Sequence, residues 1–284
     1  MMVRDLTDIK FLKKLLQKEG LSPRHSMGQN FLICSEVLEA TVMALEGGVR
    51  NLTELGAGAG TLTQALLSSK FKVRAIERDE RLANLLKTLT PRKLAPQLTV
   101  VRGDLRDEQW AWEQPFSVVG NIPYNLSGLI IKKITQLEPS PQLVVLLVQR
   151  EVGQRLTAQA PNLHLISVAV QLWGKAEAIL NVPADCFYPK PKVDSQLVLM
   201  RPRLDDCLSL NEREGALKMI KRFFQTRRKQ LGGVLQKEFG LSLADTEKLL
   251  QLTGINRKQR PQEVTPDQWM ILAGAFNEMG IDAH

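Results

Sequence analysis

Apolar positions over the first two-thirds of the chain fall into short runs separated by stretches of helical spacing. LTELG (52–56), FKVRAI (71–76), LTVV (98–101), FSVV (116–119) and LVVLLV (143–148) each read as a strand, the last as one buried on both faces. Between them, Thr61 to Ser68 and Arg81 to Leu89 repeat their apolar residues at helical intervals. This alternation predicts a parallel sheet covered by helices. Leu165 to Leu172, Ala176 to Val182 and Gln196 to Met200 are expected to add further strands. After Arg201-Pro202-Arg203 the period changes. Segments 212–224, 229–239, 243–252 and 265–279 are all helical in spacing, so an all-α portion is expected beyond a boundary near Leu204. The start, DIKFLKKLLQK, predicts an amphipathic helix with Ile9, Leu12, Leu15 and Leu16 on one side. The expected organisation is an α/β domain over 1–204, with a helical extension over 1–27, and a small all-α domain over 205–284.

Composition narrows the class. Hydrophobic residues make up 44% of 284, enough for a core, which argues against wholesale disorder. The longest aliphatic run is LVVLLV, far short of the ~20 residues of a membrane helix. Three scattered cysteines and three histidines suggest neither a disulfide framework nor a zinc site, and point to a reducing, cytoplasmic setting. The formal charge of +8 suggests a polyanionic partner. Residues 205–284 hold 12 basic and 11 acidic side chains, leaving 26 and 19 for residues 1–204. The surplus therefore lies in the α/β part.

Candidate chemistry begins at ELGAGAG (Glu54–Gly60). Gly56, Gly58 and Gly60 follow a strand and precede a helix, where glycine lets the backbone turn sharply and approach a ligand. Glu77 ends the next strand, 21 residues after Gly56, and can accept both hydroxyls of a ribose. Asp104 ends the third strand and can accept from an adenine amino group, or else serve as a turn aspartate. Up to this point S-adenosylmethionine and a nicotinamide dinucleotide suit the set equally.

NIPY (Asn121–Tyr124), at the end of the fourth strand, separates them. An adenine amino nitrogen is a poor nucleophile because its lone pair is delocalised into the ring. A side-chain amide oxygen from Asn121 and a backbone carbonyl from Ile122 can accept its two N–H bonds and favour a pyramidal nitrogen aimed at an electrophilic methyl. Pro123 stiffens the turn, and Tyr124 offers a ring on which an extruded base can stack. Catalysis by such a set is alignment plus electrostatics.

With these residues in view, the chain resembles the ribosomal RNA adenine N6,N6-dimethyltransferases acting on the small subunit. The resemblance runs nearly end to end, through GQNFL (28–32), ELGAGAG, IERD (76–79), GDL (103–105), NIPYNLS (121–127), QREVGQRL (149–156), FYPKPKVDS (187–195), FFQTRRKQL (223–231) and GINRKQRPQEVT (254–265). It implies a Rossmann-like S-adenosylmethionine-dependent methyltransferase domain with a small C-terminal all-α domain. It also implies roles. Asn30 and Leu32 close over the methionine part of the cofactor, Gly56 and Gly58 lie beneath it, Glu77 holds the ribose and Asp104 the adenine. Asn121 serves both cofactor and target, Tyr124 stacks on the base, and Phe187 faces the base from the other side, unless it is a core aromatic before a proline turn. Arg227, Arg228 and Lys229 match a basic run suited to RNA phosphates; a solvated helix face is the alternative, and for Lys10, Lys13, Lys14 and Lys18 that solvated face is the expected reading. The implied partner is small-subunit rRNA within a pre-small ribosomal subunit, methylated on adjacent adenines by a monomer that needs no metal or membrane.

Departures from the family pattern are Cys34 where aspartate is usual, Gly128 where Ser or Thr is common, Ala57 in place of proline, and the short APNLHLISV stretch. Cys34, Gly128 and the short stretch touch loops around the target rather than the principal cofactor or catalytic positions, and Ala57 is expected only to loosen the turn of the glycine loop. Four other readings stand beside this one: a large-subunit rRNA methyltransferase conferring antibiotic resistance, a DNA adenine methyltransferase, a ribosome-assembly factor whose binding outweighs its chemistry, and, from the glycine loop alone, an NAD-dependent dehydrogenase.

Overall fold

The computed structural model describes residues 6–24, 27–203 and 209–281. The chain divides into two compact units, one formed by Met1–Gln154 and Ala176–Pro202, the other by Arg155–Lys175 and Arg203–His284. The boundary expected at Leu204 lies outside the described residues.

The first unit is built on a seven-stranded sheet of order β4-β3-β2-β5-β6-β9-β7. Its strands are β2 (Asn51–Leu55), β3 (Lys72–Glu77), β4 (Leu98–Arg102), β5 (Ser117–Asn121), β6 (Val144–Gln149), β7 (Gly174–Val182) and β9 (Ser195–Pro202). Strands β4, β3, β2, β5 and β6 run parallel, as the alternating pattern predicts. β9 departs from it and lies antiparallel to β6, pairing Val144 with Met200 through to Gln149 with Ser195. Parallel strands buried on both faces need continuous apolar runs, and β6 is buried from Val144 to Val148. Helix α2 (Ser35–Leu45) precedes β2; α3 (Thr61–Ser68), α4 (Glu80–Leu89) and α5 (Ser127–Gln136) connect β2 to β3, β3 to β4 and β5 to β6; and α6 (Arg150–Leu156) follows β6. α3 packs on β3, and α4 on β3 and β4.

Helix α1 (Ile9–Lys18) forms where the amphipathic pattern predicts it. Asp8 caps it, accepting from the Lys10 N–H at 2.8 Å. Leu12 and Leu16 are buried against Phe31, Leu82, Leu85 and Leu89, so the apolar stripe packs on α4. Lys13 is more than a solvated lysine, because its ammonium lies 5.0 Å from the Tyr188 ring centroid. A second, two-stranded sheet joins β1 (Phe31–Leu32) to β8 (Phe187–Tyr188).

The second unit is helical. It contains α7 (Leu165–Trp173), α8 (Leu210–Gln225), α9 (Leu231–Glu238), α10 (Leu243–Thr253) and α11 (Pro266–Glu278). Ser209 with Glu212 and Thr265 with Gln268 form capping boxes at the starts of α8 and α11. Phe223 is the hub of the core, with the Phe239 and Trp269 rings at 4.9 and 5.1 Å.

The strand expected over Leu165 to Leu172 is instead α7. Its Ile and Val content favours extended backbone, but His164 and Ser167 close a capping box at its start. Val168 and Leu172, four apart on one helical face, join the core made by α8 and α11. Tertiary packing overrides the local preference. Among the described residues, no helix is long and apolar enough to cross a membrane.

Candidate functional site

The carboxyl ends of β2, β3, β4 and β5 form one edge of the parallel sheet, and a cleft of about 160 Å³ opens there. Its wall includes Gly56, Gly58, Glu77, Asp104, Asn121 and Pro123 from the strand ends, and Asn30 and Leu32 from the segment around β1. The sequence-predicted cofactor residues are thus brought to one place although they span 92 positions.

The loop after β2 passes through Gly56, Gly58 and Gly60, all with left-handed φ of 73°, 55° and 87°. Gly58 has a second constraint. A Cβ there would stand 3.1 Å from the Phe31 ring, so glycine lets the loop lie close under β1. The Gly58 N–H donates to Glu77 Oε2 at 2.8 Å, and the Asp79 N–H donates to Oε1 at 2.8 Å. Glu77 therefore holds the glycine loop against the end of β3 while keeping lone pairs for a ligand. Burial pushes its carboxyl pKa up, against the two backbone N–H bonds that favour the charge. Asp79 works elsewhere: it caps α4 and pairs with Arg81 at 3.0 Å.

Asp104 is already engaged. Arg106 donates to it from the backbone N–H at 2.9 Å and from Nε and an Nη at 2.9 and 2.7 Å, and Arg78 approaches at 3.3 Å. The Arg106 guanidinium holds the Asp104 carboxyl well below the usual carboxylate range.

At the end of β5, the Asn121 Nδ2 donates to the Asn30 carbonyl at 2.7 Å. A backbone carbonyl can only accept, so this contact orients the amide and leaves Oδ1 as the free acceptor. Ile122 is buried, its N–H directed to the Leu147 carbonyl at 3.4 Å. Tyr124 is half-buried and its hydroxyl meets the Ser195 Oγ at 2.8 Å. It is not part of the cleft wall. Phe187 is only 2% exposed. Pairing of β8 with β1 sets it opposite Leu32, and its ring packs into the main core rather than facing the cleft. This structure therefore presents it as the core aromatic, not as a base-facing ring.

Arg227, Arg228 and Lys229 follow α8 and are exposed. An Arg227 Nη reaches the Leu163 carbonyl at 3.4 Å and Lys229 pairs with Glu238 at 3.0 Å, so Arg228 is the most available of the three.

Three participants escaped the sequence reading. Glu54, inside ELGAGAG, is a buried acid in the cleft wall; an acid at the end of a buried strand was the available signal. Thr61 carries no local signal, and Ser195 closes FYPKPKVDS without a role that the motif itself assigns. Cys34 stands at the N-cap of α2 but makes no cap bond, donating instead to Glu36 at 3.0 Å. Burial pushes its thiol up to about 12.

The cleft suits a cationic adenosine cofactor. Glu77 and Asp104 supply negative charge along it, and Thr61, whose buried Oγ1 has no partner, belongs to its wall. Acids at successive strand ends beneath a glycine loop, with an oriented amide beside them, define an S-adenosylmethionine-dependent methyltransferase.

A family model described as ribosomal RNA adenine dimethylase matches residues 20–278, and the chain belongs to that family. Proteins named ribosomal RNA small subunit methyltransferase A from Nostoc sp. and Prochlorococcus marinus are 33% and 35% identical to it. The first alignment covers 92% of this chain and 99% of the relative, the second 90% and 91%. Among solved structures, a dimethyladenosine transferase from Plasmodium falciparum superposes with a TM-score of 0.78 at 22% identity, over 88% of this chain and 98% of the other. The 23S rRNA methyltransferase ErmE superposes at 0.70 and 24%, over 87% and 100%. Those two likenesses establish the fold alone.

Proposed function

We propose that this protein dimethylates N6 of adjacent adenines in small-subunit (16S) rRNA during ribosome assembly, acting as a monomer. The observation that carries the chemistry is the 2.7 Å bond from Asn121 Nδ2 to the Asn30 carbonyl. It pre-sets the amide so that Oδ1 accepts from the target amino group without reorganisation. The choice of small subunit is supported by relatives that carry that name and align over more than 90% of their length.

When bound, S-adenosylmethionine supplies an electrophilic methyl on a sulfonium. Glu77 holds the ribose hydroxyls, Asp104 accepts from the adenine amino group, Gly56 and Gly58 line the floor, and Asn30 and Leu32 cover it. Asn121 Oδ1 and the Ile122 carbonyl hold the target amino group, and the Tyr124 ring, fixed by Ser195, supports the base. Phe187 acts indirectly, bracing β1 through its partner Leu32. Arg227, Arg228 and Lys229 contact phosphates, which adds affinity without sequence choice.

The test is methylation of undermethylated small subunits with methyl-tritiated cofactor, followed by mass spectrometry of rRNA fragments. Two methyls on each of two neighbouring 16S adenines are expected, with Asn121→Ala slowed at least ~100-fold, the scale of losing one pre-set transition-state hydrogen bond. Label confined to 23S rRNA, or an unimpaired Asn121→Ala protein, refutes the reading.

A further inference from the structure

Lys133 lies on α5, outside the cleft wall and outside every motif read from the sequence. Its ammonium donates to three backbone carbonyls, those of Leu105 at 3.1 Å, Arg106 at 3.2 Å and Glu108 at 2.6 Å. It also lies 4.5 Å from the centroid of the fully buried Trp110 ring. An ammonium has three donors, and here all three are spent on main chain. Such a lysine is neither a solvated surface charge nor a spare contact for phosphate.

The three carbonyls belong to one turn. The N–H groups of Asp107 and Glu108 both bond to the Asp104 carbonyl at 3.0 Å, which winds the chain tightly just after β4. A turn of this kind leaves its own carbonyls pointing out together without partners, and a cation is the group that best satisfies them. Asp104, Leu105 and Arg106, which begin the turn, line the cleft. Their position therefore depends on what holds the turn. Gly103 N–H anchors its entry to the Glu77 carbonyl at 3.1 Å, and Lys133 anchors the rest.

We propose that Lys133 is a positioning residue for the adenine end of the cofactor site, acting through the three carbonyls to hold Asp104 at the cleft wall. The inference rests on the reading that Asp104 accepts from the adenine amino group. Lysine suits the task better than arginine, because a compact ammonium can point three donors at converging carbonyls whereas a planar fork cannot. Partial burial lowers the Lys133 pKa, while Asp107, Glu108 and Asp104 nearby favour its charge.

The experiment is calorimetric titration of the full chain with S-adenosylhomocysteine and with S-inosylhomocysteine, which lacks the amino group. The native protein is expected to prefer the adenine compound. Lys133→Met is expected to weaken that compound about tenfold, the ~1.4 kcal/mol of one hydrogen bond, and the inosine compound less than about twofold. Lys133→Arg, which keeps the charge, is expected to fall between, and it carries the test if Lys133→Met fails to fold. Equal weakening of both compounds would show a merely structural lysine, and no weakening an idle one; either overturns the proposal. Asp104→Ala separates the two layers. If it leaves the preference intact, the reading of Asp104 fails; if it abolishes the preference while the Lys133 variants retain it, only the role of Lys133 fails.

Discussion

Glu54 offers the sharpest quantitative test of the cleft. It sits on β2, 1% exposed, and among the described residues it has no ion pair. The Thr63 hydroxyl donates to its Oε2 at 2.6 Å. Burial, with the Glu77 carboxylate adding to it, pushes the pKa from 4.5 to about 7. A raised carboxyl means the native state binds a proton that the unfolded state has released. The slope of stability with pH is therefore negative across that window. The contribution is most favourable below about pH 4.5 and is lost as pH rises through about 7, by about 3 kcal/mol at ~1.36 kcal/mol per unit. Glu54→Gln removes the charge while its carbonyl oxygen can still accept from Thr63. Its unpartnered amide hydrogens carry a cost of about 1–3 kcal/mol, but that cost is independent of pH and cancels from the slope. Urea unfolding read by pulsed hydrogen exchange in peptides spanning 51–77 isolates the first unit. The native protein should lose about 2–3 kcal/mol relative to the variant between pH 5 and 8. Parallel stability curves would refute the burial argument. A divergence of the opposite sign would mean that Glu54 has a cationic partner in solution.

Other perturbations probe the sheet, the loop and the charged surface. Gly120 lies in β5 where a Cβ would stand 2.6 Å from the Leu55 carbonyl oxygen, an atom of the neighbouring strand that cannot rotate away. Gly120→Ala should lower stability by about 1–3 kcal/mol or more, and an unchanged thermal midpoint would count against the strand packing. Glu77→Gln must turn an amide donor toward either the Gly58 or the Asp79 N–H, breaking one of two 2.8 Å bonds. Calorimetric affinity for S-adenosylmethionine should fall roughly 10- to 100-fold, the value of a hydrogen bond to a charged group. Arg228→Ala should reduce the slope of log affinity for rRNA against log salt by about one, leaving the choice of adenines unchanged; altered product mapping would argue for a specificity role instead.

How far the chain could be read in advance follows from the range of the contacts involved. Gly56, Glu77, Asp104 and Asn121 share the cleft wall because each lies at or just beyond the end of a strand, and a parallel sheet carries all such ends to one edge. Their local signals survive without knowledge of the partners. α7 was misread because its nine residues are balanced between strand and helix, and the balance is tipped by α8 and α11, whose sequences begin about 45 and about 100 residues later. The same holds inside the site. The orientation of the Asn121 amide depends on a carbonyl 91 positions away, and that of the Tyr124 ring on a hydroxyl 71 positions away. Pattern therefore reveals residues whose chemistry meets a ligand, since ligands constrain residue type at fixed places in a fold. It conceals residues whose chemistry meets main chain. A lysine directed at three carbonyls has the same neighbours in sequence as a solvated one, because carbonyls belong to every residue and leave no trace in composition. Lys133, on a helix face that reads as ordinary amphipathic surface, is such a case, and only the fold distinguishes it from Lys132 beside it.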